Sequence, residues 1–174
     1  MIKNTRDEYG MVSKLLHWTI AIVIIGMIVV GFVMSGMANS ELKFQVYGIH
    51  KATGAVLIFF IFLRLIWKLI NVSVVVEMPS LHHFAAKAGH ILLYILMFAM
   101  PISGILMSLM GGHDISIYGF YTIEAITKDE LIGKTSWILH GYFAWILVGV
   151  IAGHVLAALY HHFIRKDNVL KNMM

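Results

Sequence analysis

Four stretches of the chain are apolar over a length that fits one kind of element: Lys14 to Met37, His50 to Ile70, Ala88 to Met110 and Trp137 to Phe163. Each meets the requirement of about 20 mainly apolar residues for a helix crossing a hydrocarbon core of about 30 Å. Polar residues gather between the stretches, and none of the four contains an aspartate or glutamate. The pattern predicts an all-α, transmembrane four-helix bundle that forms a single domain across 1–174. Pro79 falls in a connection. Pro101 lies inside the third stretch, where its missing N–H predicts a local kink. The longest connection, Gly111 to Ser136, interleaves Ile115, Ile117, Tyr118, Phe120, Tyr121 and Ile123 with polar residues. That mixture predicts an ordered loop or short helix lying over the bundle. The apolar part of the first stretch, Leu15 to Met34, is longer than the roughly 7 to 15 residues of a signal-peptide core and carries His17, so it is expected to be a retained helix.

Composition agrees with this pattern: 60% of residues are hydrophobic, against roughly 45–50% in soluble domains. Charge then sets orientation. An even number of crossings puts both termini on one side, together with Lys3, Arg6, Lys14, Arg64, Lys68, Lys87, Arg165, Lys166 and Lys171. The opposite side holds Lys43, Lys51, Lys128 and Lys134, set among Glu41, Asp114, Glu124, Asp129 and Glu130. The excess of cations predicts cytoplasmic termini. The net charge of +4 therefore reports topology and carries no nucleic-acid footprint. Trp18, Trp67 and Trp137 lie near the expected helix ends, where amphipathic aromatics anchor at the lipid interface. The absence of cysteine excludes disulfides, thiolate metal sites and cysteine-ligated iron–sulfur clusters.

The histidines carry the chemistry. A histidine facing lipid is costly, so one inside a membrane helix marks function by default. His140 and His154 are 14 residues apart in the fourth stretch, which on a helix means a rise of about 21 Å and an angular offset of only about 40°. They share a face at two depths. His50 opens the second helix at the depth of His140. His17 and His90 lie at the other end, near the depth of His154, and His161 continues the stripe. Facing imidazoles at two levels suit haem, whose iron accepts a neutral imidazole on each axial side while the porphyrin fills apolar space between helices. Depth alone leaves open whether His17 pairs with His154 or with His90. Gly31, Gly54, Gly141, Gly149 and Gly153 could let a macrocycle or a neighbouring helix approach, and Gly149 and Gly153 form a small-xxx-small pair. His82, His83, His113 and His162 read as solvated or hydrogen-bonded side chains, and the twelve methionines mainly as lipid-facing or core fillers. Proton or metal-ion transport is the competing use of such histidines, but the helices lack an acid to relay protons or balance a cation.

An ordered set of motifs spans nearly the whole chain: Lys14-Leu-Leu-His17-Trp18, Ile49-His50-Lys51-Ala-Thr-Gly54, Arg64 with Trp67-Lys68, Ala88-Gly89-His90 leading to Met100-Pro101-Ile-Ser-Gly104, His140-Gly141-Tyr142, Gly153-His154, and Phe163-Ile-Arg-Lys166-Asp167-Asn168-Val-Leu170. This set resembles the bacterial cytochrome b561 family. The resemblance implies two b haems in the inner membrane, with His50 and His140 as axial ligands of the outer one and His17 and His154 of the inner one. It leaves His90 and His161 free at the cytoplasmic side, where they could bind a quinone headgroup, with ubiquinone the expected acceptor. The partners so implied are membrane lipid, quinone and a periplasmic donor, either superoxide or a redox protein. Two functions follow: a superoxide:ubiquinone oxidoreductase, in which a lysine such as Lys51 attracts the superoxide anion, or a non-enzymatic relay subunit serving a separate redox partner.

Overall fold

The computed structural model describes residues 1–75 and 79–174. Its four long helices are α1 (Met11–Gly36), α2 (Glu41–Ile70), α3 (Ser80–Met110) and α4 (Glu130–Tyr160), and each is long and apolar enough to cross a membrane. A hairpin of β1 (Ile115–Ile117) and β2 (Tyr121–Ile123) separates α3 from α4. Beyond Tyr160 the last helix continues as a π-helical turn, His161–Arg165, and the chain ends in a 3₁₀ turn, Lys171–Met173.

The helices begin earlier than the apolar stretches do. α2 starts at Glu41 and not at His50, because Ser40 caps it by accepting a hydrogen bond from the Lys43 N–H at 3.2 Å. Likewise α4 starts at Glu130, where the Asp129 carboxylate accepts from the Ile132 N–H at 3.0 Å. Hydropathy marks the lipid-crossing part of a helix, whereas a polar cap sets where helical hydrogen bonding starts. His50 therefore lies two and a half turns inside α2, and α2 projects past the apolar layer. α3 runs from Ser80 through Pro101 to Met110 without a break in helical assignment.

The long connection is ordered, but as a hairpin and not a short helix. Tyr118 at φ 50° and Gly119 at φ 81° supply the consecutive left-handed residues of a primed turn. Ile115, 1% exposed, anchors the hairpin, and β1 lies against α2 and α3. The Lys51 ammonium donates to the Asp114 carbonyl at 2.7 Å, and the hydroxyls of Thr53 and Tyr118 share a hydrogen bond of 2.7 Å.

Both termini lie at the opposite end of the bundle. Trp18 Nε1–H donates to the Met173 carbonyl at 2.9 Å, and the Asn4 side chain donates to the Val72 carbonyl at 3.1 Å. α1 packs along α2, α3 along α4, and α2 against α3. A core of Ile20, Ile24, Leu57, Ile61, Leu96, Met97 and Leu147 joins all four helices. Leu147 stands midway between His140 and His154, so this core separates the two histidine levels. Large apolar side chains on the outside, among them Phe44, Phe59, Phe84, Trp145 and Leu156, are exposed, as a surface solvated by lipid requires. The glycines of α4 divide by angle. At 100° per residue Gly149 and Gly153 fall on the side away from the His140–His154 stripe. A Cβ at either would meet no protein atom within 4 Å, so no neighbouring helix of the bundle packs against them.

Candidate haem and electron-transfer site

At the hairpin end, α2 and α4 bring His50 and His140 together with ring centres 6.4 Å apart. His140 is held from α3. Its Nδ1–H donates to the Met100 carbonyl and to Ser103 Oγ, both at 3.0 Å, while the Ser103 hydroxyl donates to the same carbonyl at 2.8 Å. With the proton fixed on Nδ1, Nε2 keeps its lone pair for a ligand. Gly104 seats the ring: a Cβ there would lie 3.0 Å from His140 Cε1. Gly31 does the same for His50, where the gap to Cε1 would be 3.4 Å. His50 keeps a buried Nδ1 with no hydrogen-bond partner, so its bonding is incomplete in the protein alone.

At the terminus end, His17 of α1 faces His154 of α4 with ring centres 6.3 Å apart, and His90 of α3 approaches the same His154 at 5.5 Å. His17 and His154 are half-buried, whereas His90 is exposed. Two cations of α2 complete this level. Arg64 donates to His17 Nδ1 at 2.8 Å, and the Arg64 and Lys68 head groups lie 5.7 Å and 4.7 Å from the centre of the Tyr94 ring. Among the described residues no carboxylate pairs with either cation. Nor do three or more His, Cys, Asp or Glu side chains converge at either level as a bare-ion site would need, again among the described residues.

A family model described as prokaryotic cytochrome b561 matches residues 8–174 of the chain. The chain belongs to that family. As a cytochrome b561 it is a multi-pass protein of the bacterial inner membrane that carries electrons by way of b-type haem. It is similar to Cytochrome b561 homolog 2 of Escherichia coli (strain K12), 34% identical over 98% of this chain and 93% of that protein. Cytochrome b561 homolog 1 of the same strain is 37% identical over 59% of this chain and 58% of its own. A Yersinia pestis protein named "Probable superoxide oxidase CybB" is 35% identical over 51% of each chain.

In this cytochrome b561 the third histidine level lies beyond α4. His161 Nδ1–H donates to Asp167 Oδ2 at 2.6 Å, and the ring of His82 stands edge-on to that of His161 with centres 5.9 Å apart. Neither Asp167 nor His82 was singled out by sequence reasoning as a partner of His161, and the aspartate six residues on would lie far round a continuous helix. Partial desolvation pushes the Asp167 carboxyl up, but hydrogen bonds from His161 and the Val169 N–H, with the Arg165 charge nearby, outweigh it and hold the carboxyl below the usual carboxylate range. A depressed pKa stabilises the folded state above the unfolded value and loses that contribution as pH falls through the folded value. Docking of the C-terminal segment is therefore expected to persist down to about pH 4 and to weaken below it. Emission from Trp18, whose indole is bonded to Met173, compared with a Trp18→Phe control, checks this.

Proposed function

We propose that this cytochrome b561 holds two b haems, one between His50 and His140 and one between His17 and His154, and moves electrons from superoxide at the hairpin end to ubiquinone at the terminus end, with the termini cytoplasmic. The observation that carries the reading is the pair of imidazole–imidazole spacings. Two metal–imidazole bonds of about 2 Å, plus about 1 Å from each ligating nitrogen to its ring centre, put the ring centres about 6 Å apart. The spacings of 6.4 Å and 6.3 Å fit. Helix packing favours His17 over His90 as the partner of His154, because α3 lies directly along α4 whereas α1 packs on α2. A porphyrin needs the looser interface. His90 and His161 are left for the quinone headgroup.

Bound haem supplies one-electron carriage at each level. The chain supplies the rest. Met100 and Ser103 orient His140, Arg64 and Lys68 offer charge to the propionate carboxylates, and the core around Leu147 keeps water from the space between the levels. Two superoxide anions each lose one electron to become dioxygen, and the two electrons with two protons reduce one ubiquinone to ubiquinol.

One observation favours the relay as a second reading. Of the hairpin-end lysines, Lys128 is paired with Glu130, and the Lys51 and Lys43 ammonium groups, though still charged, are tied to the Asp114 and Met37 carbonyls and so are less available to meet a superoxide anion directly than the sequence suggests. A superoxide pulse on the purified haem-loaded protein separates the two. Haem reduction by the pulse, followed by reoxidation on adding ubiquinone, is expected for the oxidase. Haems blind to superoxide would leave the relay, and a redox protein should then co-purify in mild detergent.

A further inference from the structure

The geometry points to His161 and Asp167 as a proton-delivering dyad for quinone reduction, with His161 exchanging the proton and Asp167 positioning it. This rests on the proposed quinone site at the terminus end and names the device that would work there.

The local fold is built around the pair. α4 does not stop at Tyr160 but widens into the π-helical turn His161–Arg165, a kind of turn that can close a helix C-terminus. Lys166, left-handed at φ 56°, reverses the chain. On a regular helix, residues 161 and 167 would be about 9 Å apart along the axis and about 120° apart around it, too far to bond. Here the turn brings Asp167 Oδ2 to 2.6 Å from His161 Nδ1 and the Asp167 N–H to 3.2 Å from the His161 carbonyl. The carboxylate is itself fixed, with Oδ1 accepting from the Val169 N–H at 3.1 Å and Arg165 Nε 3.6 Å from Oδ2. The polar groups around His161 are these, the Tyr160 ring beside it and His82 from α3.

A carboxylate on Nδ1 commits that nitrogen to a proton and leaves Nε2 as the one that takes and gives a proton. The same carboxylate stabilises the imidazolium each time His161 reloads from water, and its depressed protonation range keeps it ionised while it does so. His161 lies one heptad beyond His154 on the same stripe, about 10 Å along α4. A quinone between them would meet the electron from one side and the proton from the other. Each ubiquinone takes two electrons, delivered singly through the haems, and two protons through His161 Nε2.

The test uses the full-length, haem-loaded protein, pre-reduced and mixed with a short-chain ubiquinone, at a series of pH values. In Asp167→Asn, reoxidation is expected to slow by about 10- to 100-fold, the usual cost of removing a positioning partner. Haem content and the reduced-minus-oxidised spectrum should be unchanged, and Asp167→Glu should recover most of the rate. His161→Gln should be slow at every pH. Normal kinetics in Asp167→Asn beside a slow His161→Gln would overturn the dyad and keep the quinone site. Normal kinetics in both would overturn the quinone site as well. Loss of haem in Asp167→Asn, or slowing that glutamate does not rescue, would make the aspartate structural and also overturn the dyad.

Discussion

With two haems held as proposed, replacing His140 with alanine is expected to lower the haem content from about two per chain to about one, and the same loss is expected for His154→Ala. The two losses should differ in kind. His140 faces His50 and no other imidazole, so nothing can take its place and the hairpin-end haem goes; the remaining haem should still be reducible by dithionite yet no longer by a donor confined to the hairpin side. At the terminus end His154 is approached by both His17 and His90, so its removal takes away the one residue common to either pairing. His17→Ala and His90→Ala then decide which pairing operates. If α1 supplies the ligand, His17→Ala loses a haem and His90→Ala keeps both. The reverse would place the macrocycle against the close α3–α4 interface and force those helices apart. Haem per chain by the pyridine haemochrome spectrum, read for all four variants, checks the set.

Much of this site was legible in the sequence because helices make depth and angle calculable. The 14-residue spacing of His140 and His154 puts two levels on one face, and the structure sets His50 beside His140 and both His17 and His90 beside His154. Even so, His50 reaches its level by a different route: the apolar pattern makes it the first residue of α2, whereas the helix begins a further two and a half turns out, at Glu41. Since α4 also starts early, at Glu130, the errors at the two ends match and the pairing survives. Other features were hidden because they depend on contacts between distant segments. That Met100 and Ser103 hold His140, or that Gly104 seats it, follows from how α3 lies on α4, and a glycine after a proline reads first as helix punctuation. The hairpin could have been found: Ile-Ser-Ile and Tyr-Thr-Ile alternate with a period of two on either side of a turn glycine. Its shortness, and the long apolar helices around it, let the connection read only as an ordered loop or short helix. The role of Lys51 depended on that hairpin, since the Asp114 carbonyl it bonds belongs to the loop that brings β1 onto α2.

Arg64→Met is expected to have opposite effects on the protein with and without haem. Arg64 is half-buried between α1, α2 and α3, pairs with no carboxylate among the described residues, and donates to His17 Nδ1. A guanidinium has no lone pair to accept with, so this hydrogen bond makes His17 carry its proton on Nε2. That is the wrong tautomer for an imidazole that ligates iron through Nε2, which needs Nδ1 protonated and donating to an acceptor. Loading haem at His17 therefore requires Arg64 to release the ring and find another acceptor, and the propionate carboxylates are the acceptors haem brings with it. In the haem-free protein Arg64 is a desolvated charge, and replacing it with an apolar side chain of similar length should be neutral or stabilising, by up to about 1–2 kcal/mol. In the loaded protein the same replacement strips a counter-charge from the propionates and should weaken haem retention by at least about tenfold, since hydrogen bonds between charged groups contribute about 1.5–3 kcal/mol. It should also lower the midpoint potential of that haem, on the order of tens of millivolts, because a nearby cation favours the more electron-rich ferrous state. Haem-transfer kinetics to apomyoglobin, a redox titration, and thermal unfolding with and without haem read the three effects. Haem retention and potential both unchanged would mean that the propionates find their partners elsewhere, and that the bond between Arg64 and His17 persists when the site is filled.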